Sequence, residues 1–157
     1  MIDGLALLLG HCVGDYWFQS DKVALNKSNK GREGRFYCRL HCIIYSVCVA
    51  LFVAFGGWTF SYLRNGLTGC ETILANLSFA FLIAYITHYP IDRISFASKW
   101  MKWFGIVDFE KAPPIITGTI SNAHINTRSF FVAPVYIIID NSMHLTLMWM
   151  LFSLLGK

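Results

Sequence analysis

Charged side chains are scarce: Asp, Glu, Lys and Arg make up only 14% of the 157 residues, where about 25% is usual in a soluble domain. Long stretches hold almost none. Residues 40–63 and 72–91 carry no formal charge, residues 1–18 carry only Asp3 and Asp15, and residues 130–155 carry only Asp140. That scarcity excludes an ordinary water-exposed domain. Cysteine is equally uninformative as a scaffold. The five cysteines (Cys12, Cys38, Cys42, Cys48 and Cys70) are odd in number and contain no CxxC pair, which argues against a disulfide framework or a Cys-rich zinc site. Cys38 and Cys42 do share a helix face beside His41, but small apolar cysteines are common in such runs. No basic segment precedes the first apolar run, so that run reads as a retained span and not a signal peptide.

What is present is apolar and periodic. Hydrophobic residues reach 55%, gathered in runs near the roughly 20 residues that cross about 30 Å of hydrocarbon. The expected fold is all-α: one integral membrane domain, residues 1–157, with four spanning helices near 2–21, 39–62, 71–92 and 131–155. Charge sets the orientation. Lys22, Lys27, Lys30, Arg32, Arg35 and Arg39 fall between the first two spans, and Arg93, Lys99, Lys102, Lys111 and Arg128 between the last two. Both basic loops then face the cytoplasm and both termini lie outside it. The net charge of +4 is explained by these loops, so no nucleic-acid partner is implied. Membrane lipid is the expected partner, and a homo-oligomer is compatible with the sequence. Phe96, Trp100, Trp103, Phe104 and Val107 recur at helical spacing opposite Ser95, Ser98, Lys99 and Lys102. They predict a cytoplasmic amphipathic helix over 93–107, lying in the headgroup region or packed on the bundle. Pro113, Pro114 and Gly118 follow in an irregular stretch containing His124.

Three spans carry an acid and a histidine one turn apart: His11 with Asp15, His88 with Asp92, and Asp140 with His144. An i, i+4 spacing puts each pair on one face. His41 opens the second span, with Tyr45 one turn on. An aspartate at the centre of a membrane helix costs roughly 2.5–3.5 kcal/mol on insertion scales, so such groups read as functional by default. At 1.5 Å per residue from the flanking cations, these groups fall within about 14 Å of the cytoplasmic edge. Histidine nitrogen with carboxylate oxygen suits Zn, Mn or Fe, and bundles build metal cores from facing helices. His11, Asp15, His88, Asp92, Asp140 and His144 are therefore the candidate ligands of one or two divalent ions. His41 and Asp15 are the candidate catalytic groups, and Gln19, Lys22 and Lys27 the substrate-binding ones. Hydrogen-bonded glue between helices and a proton or ion path are the competing readings. Pro90 is expected to kink the third span, and Gly10 and Gly14 form a small face suited to helix packing.

The run His11-Cys-Val-Gly-Asp15-Tyr-Trp-Phe-Gln19-Ser-Asp-Lys-Val-Ala24-Leu-Asn-Lys27 resembles the opening signature of the domain-of-unknown-function 3307 family, small multi-span membrane proteins of bacteria and phages. His41, His88 with Asp92, and Asp140 with His144 resemble its later polar blocks in order. The sequence departs from the pattern at Ser95, where a lysine is expected, and at Asn141, where a glutamine is. The resemblance implies a bacterial inner-membrane location and supplies no reaction. A looser likeness of layout to membrane-bound metal-dependent hydrolases makes the expected activity hydrolysis of a lipid or lipid-linked ester or phosphoester at the cytoplasmic leaflet. A small ion-coupled transporter and a non-catalytic interaction protein are the alternatives. The apolar stretches 51–55, 73–79 and 147–154 weigh against a route through both leaflets.

Overall fold

A computed structural model describes residues 4–65, 70–105 and 127–155, with side chains placed over 4–56, 73–105 and 134–155. His124, Val107 and the Pro113–Pro114 stretch lie outside the described residues. Those described are helical apart from short turns, without a strand. The helices are α1 (Gly4–Cys12), a π-helical segment (Val13–Trp17), α2 (Asp21–Asn26), α3 (Arg32–Asn65), α4 (Cys70–Ile94), α5 (Phe96–Trp103) and α6 (Thr127–Leu155).

Three helices are long and apolar enough to cross a membrane, over Arg32–Gly56, Ile73–Ile94 and Pro134–Leu155. The segment expected as a first span is built differently. Nine residues of α1 run into five of π-helix, which together rise only about 20 Å. The chain then turns, and Ser20 opens the separate short helix α2, its side chain accepting from the Val23 amide. The wide π turn closes with the Phe18 amide donating to the Val13 carbonyl at 3.2 Å. Such turns insert one extra residue and redirect side chains, and they are frequent at functional sites. Asp15 lies in the middle of this one.

Burial follows single stripes. On α3 the stripe runs through Cys38, His41, Cys42, Tyr45, Val49 and Val53, widened by Ser46, Cys48, Ala50 and Ala54; on α4 it is Ala80, Ile83, Ala84, Thr87, His88, Ile91 and Asp92; on α6, His144, Met148 and Phe152. Each stripe steps by three or four residues, the spacing of one helix face. Each also changes character along its length. Towards one end Leu7, Val49, Val53, Ala80, Ala84, Met148 and Phe152 form a dry apolar core; towards the other the same faces present histidine and aspartate. Tyr45 stands at the junction. Small residues allow the approach: a Cβ on Gly10 would lie 2.8 Å from the Val49 Cα, and one on Gly14 2.9 Å from the Tyr45 ring. The small face read from sequence is thus the crossing of α1 on α3, and it delivers His11 and Asp15 to the polar end.

α4 runs through Pro90 and ends at Ile94. Ser95 adopts a left-handed conformation (φ 49°) that redirects the chain into α5. α5 buries Ala97 and Met101, while Trp103, Phe104 and Phe96 are exposed. The helix is therefore packed on the bundle through its two inward residues and shows aromatics outward.

The glycine crossing is testable. Gly14→Val should lower stability in detergent by about 1–3 kcal/mol through overpacking against backbone. Gly4→Ala, with nothing within 4 Å of the new methyl, should leave it unchanged. Equal thermal midpoints for the two variants would contradict the close approach.

Candidate functional site

Six side chains from four helical elements meet at the polar end. His41 Nε2 lies 2.9 Å from His88 Nε2, 3.1 Å from Asp15 Oδ1 and 3.1 Å from Asp92 Oδ2. His88 Nε2 is 3.1 Å from Asp92 Oδ2 and 3.6 Å from Asp15 Oδ1. His144 Nε2 is 3.5 Å from Asp92 Oδ1 and 3.8 Å from Asp140 Oδ1. His11, His41, His88 and His144 are buried, and the Asp15, Asp92 and Asp140 side chains are only 8%, 4% and 19% exposed.

These separations have a chemical meaning. Donor atoms about 2.0–2.2 Å from one metal ion stand about 2.8–3.6 Å from each other in octahedral to tetrahedral arrangements. Hydrogen bonding alone does not account for the convergence, because one N–H at His41 Nε2 cannot serve an imidazole and two carboxylates together. Asp15 Oδ1, both nitrogens of His144 and His88 Nδ1 are buried without a hydrogen-bond partner. Such atoms are costly in apolar surroundings. Three overlapping sets have ligand atoms within 4.8 Å of one another: Asp15–His88–His144, His41–His88–Asp92 and Asp92–Asp140–His144. The donor set could hold a metal ion.

The ring planes are fixed by stacking. His88 lies between Tyr45 and His144, with centroids 3.6 Å and 4.0 Å away and planes inclined by 19° and 27°. The Tyr45 hydroxyl lies 2.9 Å from His11 Nδ1 and 3.4 Å from Met148 Sδ. His11 Nε2 lies 2.9 Å from Asn141 Oδ1, and Asn141 Nδ2 donates to the Tyr16 hydroxyl at 2.6 Å. One tautomer satisfies His11: Nε2–H donates to Asn141 while Nδ1 accepts from Tyr45. Both ring nitrogens of this expected ligand are then occupied, and it meets the cluster at Asp15 Oδ2, 3.6 Å away, and at the His144 ring, 5.9 Å between centroids.

The three residues expected to bind substrate separate. Lys22 is exposed, with Nζ 5.5 Å from the Tyr37 ring centre. Lys27 turns inward: Nζ donates to Asp92 Oδ2 at 2.8 Å and to Gln19 Oε1 at 3.3 Å, and lies 3.5 Å from His41 Nε2. Burial works against the Lys27 charge, but the Asp92 and Asp15 carboxylates outweigh it and hold its pKa above the ordinary lysine value. Arg93 fixes the loop, donating from Nη1 to the Ser28 and Asn29 carbonyls at 3.2 and 2.9 Å. Asn141 and Tyr16 were not singled out from sequence as site residues. The only sign of the first was that it departs from the family pattern beside Asp140.

The Lys27–Asp92 pair should couple strongly. In metal-free protein Asp92→Asn should cost about 3 kcal/mol or more, because it strands a nearly buried ammonium. Adding Lys27→Met should restore part of that, with a coupling of about 1 kcal/mol or more in a double-mutant cycle followed by thermal unfolding. Strictly additive losses would show that the two charges act independently.

No curated protein and no solved structure matches the chain. A family model described as protein of unknown function, DUF3307, matches residues 5–157, essentially the whole sequence including every residue of the cluster. The chain belongs to the DUF3307 family.

Proposed function

We propose that the cluster is a divalent-metal centre and that the protein is a metal-dependent hydrolase of a bacterial inner membrane, acting on a lipid or lipid-linked ester or phosphoester at the cytoplasmic leaflet. The observation that carries this reading is the convergence at His41 Nε2, where one imidazole nitrogen and two carboxylate oxygens lie within 3.1 Å. His41, His88, His144, Asp15 and Asp92 would hold the ion, with Asp140 beside His144. His11 would position Asp15 from outside, held by Tyr45 and Asn141.

When bound, a divalent ion lowers the pKa of a water molecule towards neutrality and supplies a hydroxide-like nucleophile. The chain's own groups do the remainder. With Asp15 Oδ1 turned to the ion, the second oxygen, Oδ2, 3.6 Å from His11 Nε2, would accept the proton of the attacking water and return it to the leaving alcohol. The stacked rings of Tyr45, His88 and His144 keep the site dry on its inner side, which strengthens every charge interaction there. Among the described residues the core beyond Tyr45 is apolar, which favours hydrolysis over conduction.

The membrane arrangement proposed has the basic ends of the helices in the cytoplasm and both termini outside. The first segment would be the fourth membrane element, entering the bilayer with its short helix and π turn, and α5 lies at the headgroup level with Trp103 and Phe104 towards lipid.

Elemental analysis of the detergent-purified protein should find about one or two equivalents of Zn, Mn or Fe per chain. His88→Ala and Asp92→Ala should each remove most of it, whereas His11→Ala should retain metal. Protein that stays metal-free after incubation with all three ions would overturn the reading.

A further inference from the structure

Lys27 has no role in binding a cation, because it is itself one and like charges at this distance repel. It nevertheless reaches inside the cluster, with its side chain only 18% exposed. The mount is rigid. The Lys27 amide closes α2 by donating to the Val23 carbonyl at 2.9 Å, and Arg93 holds the next two carbonyls. An ammonium has three donors. Asp92 and Gln19 take two, and the third has only the long 3.5 Å contact to His41 Nε2, which a closer oxyanion would replace.

The approach to Lys27 is also cationic. Lys30, Arg32, Arg35 and Arg39 are exposed on the neighbouring loop and first turns of α3, against Asp21 and Glu33. A surface with such an excess of basic side chains raises the local concentration of anions. A carboxylic ester brings no charge to such a site. A phosphoester brings one or two, and an ammonium beside a divalent ion is a recurrent way of clamping phosphoryl oxygens.

We infer that Lys27 holds the phosphoryl oxygens of the substrate and so makes the cluster a phosphoester site, an inference that rests on the metal-centre reading. Gln19 positions Lys27, and Arg93 positions the loop that carries it.

The test uses inorganic phosphate as probe, titrated by calorimetry into detergent-solubilised, metal-loaded protein, with metal content measured on the same samples. Wild type should bind phosphate. Lys27→Met and Lys27→Gln should weaken binding by about ten- to a hundredfold while keeping their metal, the worth of one charge-assisted hydrogen bond. Lys27→Arg should stay within a few-fold of wild type. Phosphatidic acid in phosphatidylcholine bilayers then separates the sources. Competition with phosphate identifies a lipid headgroup, and phosphate binding without competition identifies a soluble phosphoester. Metal-loaded wild type that ignores phosphate, or Lys27→Met that binds it unchanged, would overturn the inference and leave the metal centre standing. Loss of metal from all three Lys27 variants would overturn it too, by making Lys27 part of the metal's own surroundings. Absence of metal from wild type would remove the underlying reading instead.

Discussion

The Asp92 carboxylate is the point on which the polar half of this protein depends. One oxygen is shared by His41, His88 and Lys27 at 2.8–3.1 Å, and the other faces His144 at 3.5 Å. These partners come from α3, from α4 itself, from the end of α2 and from α6. A carboxylate taken out of water loses several kcal/mol of hydration, and only partners with good geometry offset that loss. Asp92 therefore constrains how far the three long helices can rotate about their axes. Turning α3 or α6 by a single residue, about 100°, would remove its histidine from the carboxylate, and turning α4 would carry Asp92 itself away from both.

That constraint works only because the helices come close enough. Gly14 sits against Tyr45 and Gly10 against Val49, each without room for a methyl group, and fully buried Ala80 and Ala84 line α4 in the apolar half. Tight backbone approach is how helices associate where lipid is as apolar as their own side chains. Tyr45 joins the two halves. Its ring stacks on His88, its hydroxyl reaches His11, and its neighbours along α3 belong to the apolar core. The dry half locates the helices, and the polar half uses that location.

Much of this was legible in the sequence. Charge-free runs announced the long helices, because lipid tolerates little else, and three acid–histidine pairs at one-turn spacing announced a polar face on each of three segments. Helical periodicity fixes which residues share a face of one helix. It does not fix how helices are rotated against each other, so it could not tell that His11 would spend both ring nitrogens on Tyr45 and Asn141. Nor could it separate Lys22 from Lys27. Both lie in the first basic loop, but the end of α2 sends one outward and the other onto Asp92. The short first segment was hidden for a similar reason. Hydropathy reads 2–21 as continuous, while the π turn at Val13–Trp17 and the Ser20 cap divide it.

The division has a physical logic of its own. A straight helix through residues 11–27 would rise about 24 Å and carry Lys27 far beyond Asp15. Breaking the segment after Trp17 folds the basic end back, so that Gln19 and Lys27 return to within hydrogen-bonding distance of each other. The same break leaves Asp15 in a widened turn beside His41 and His88. An uninterrupted span would have been simpler to insert, since it satisfies its own backbone throughout. A chain that instead interrupts this segment at its acidic residue, and ties the returning loop to Arg93, spends folding stability on bringing a cation to a buried carboxylate. Stability of that kind is characteristically surrendered at sites that bind or react, and seldom at positions that only pack.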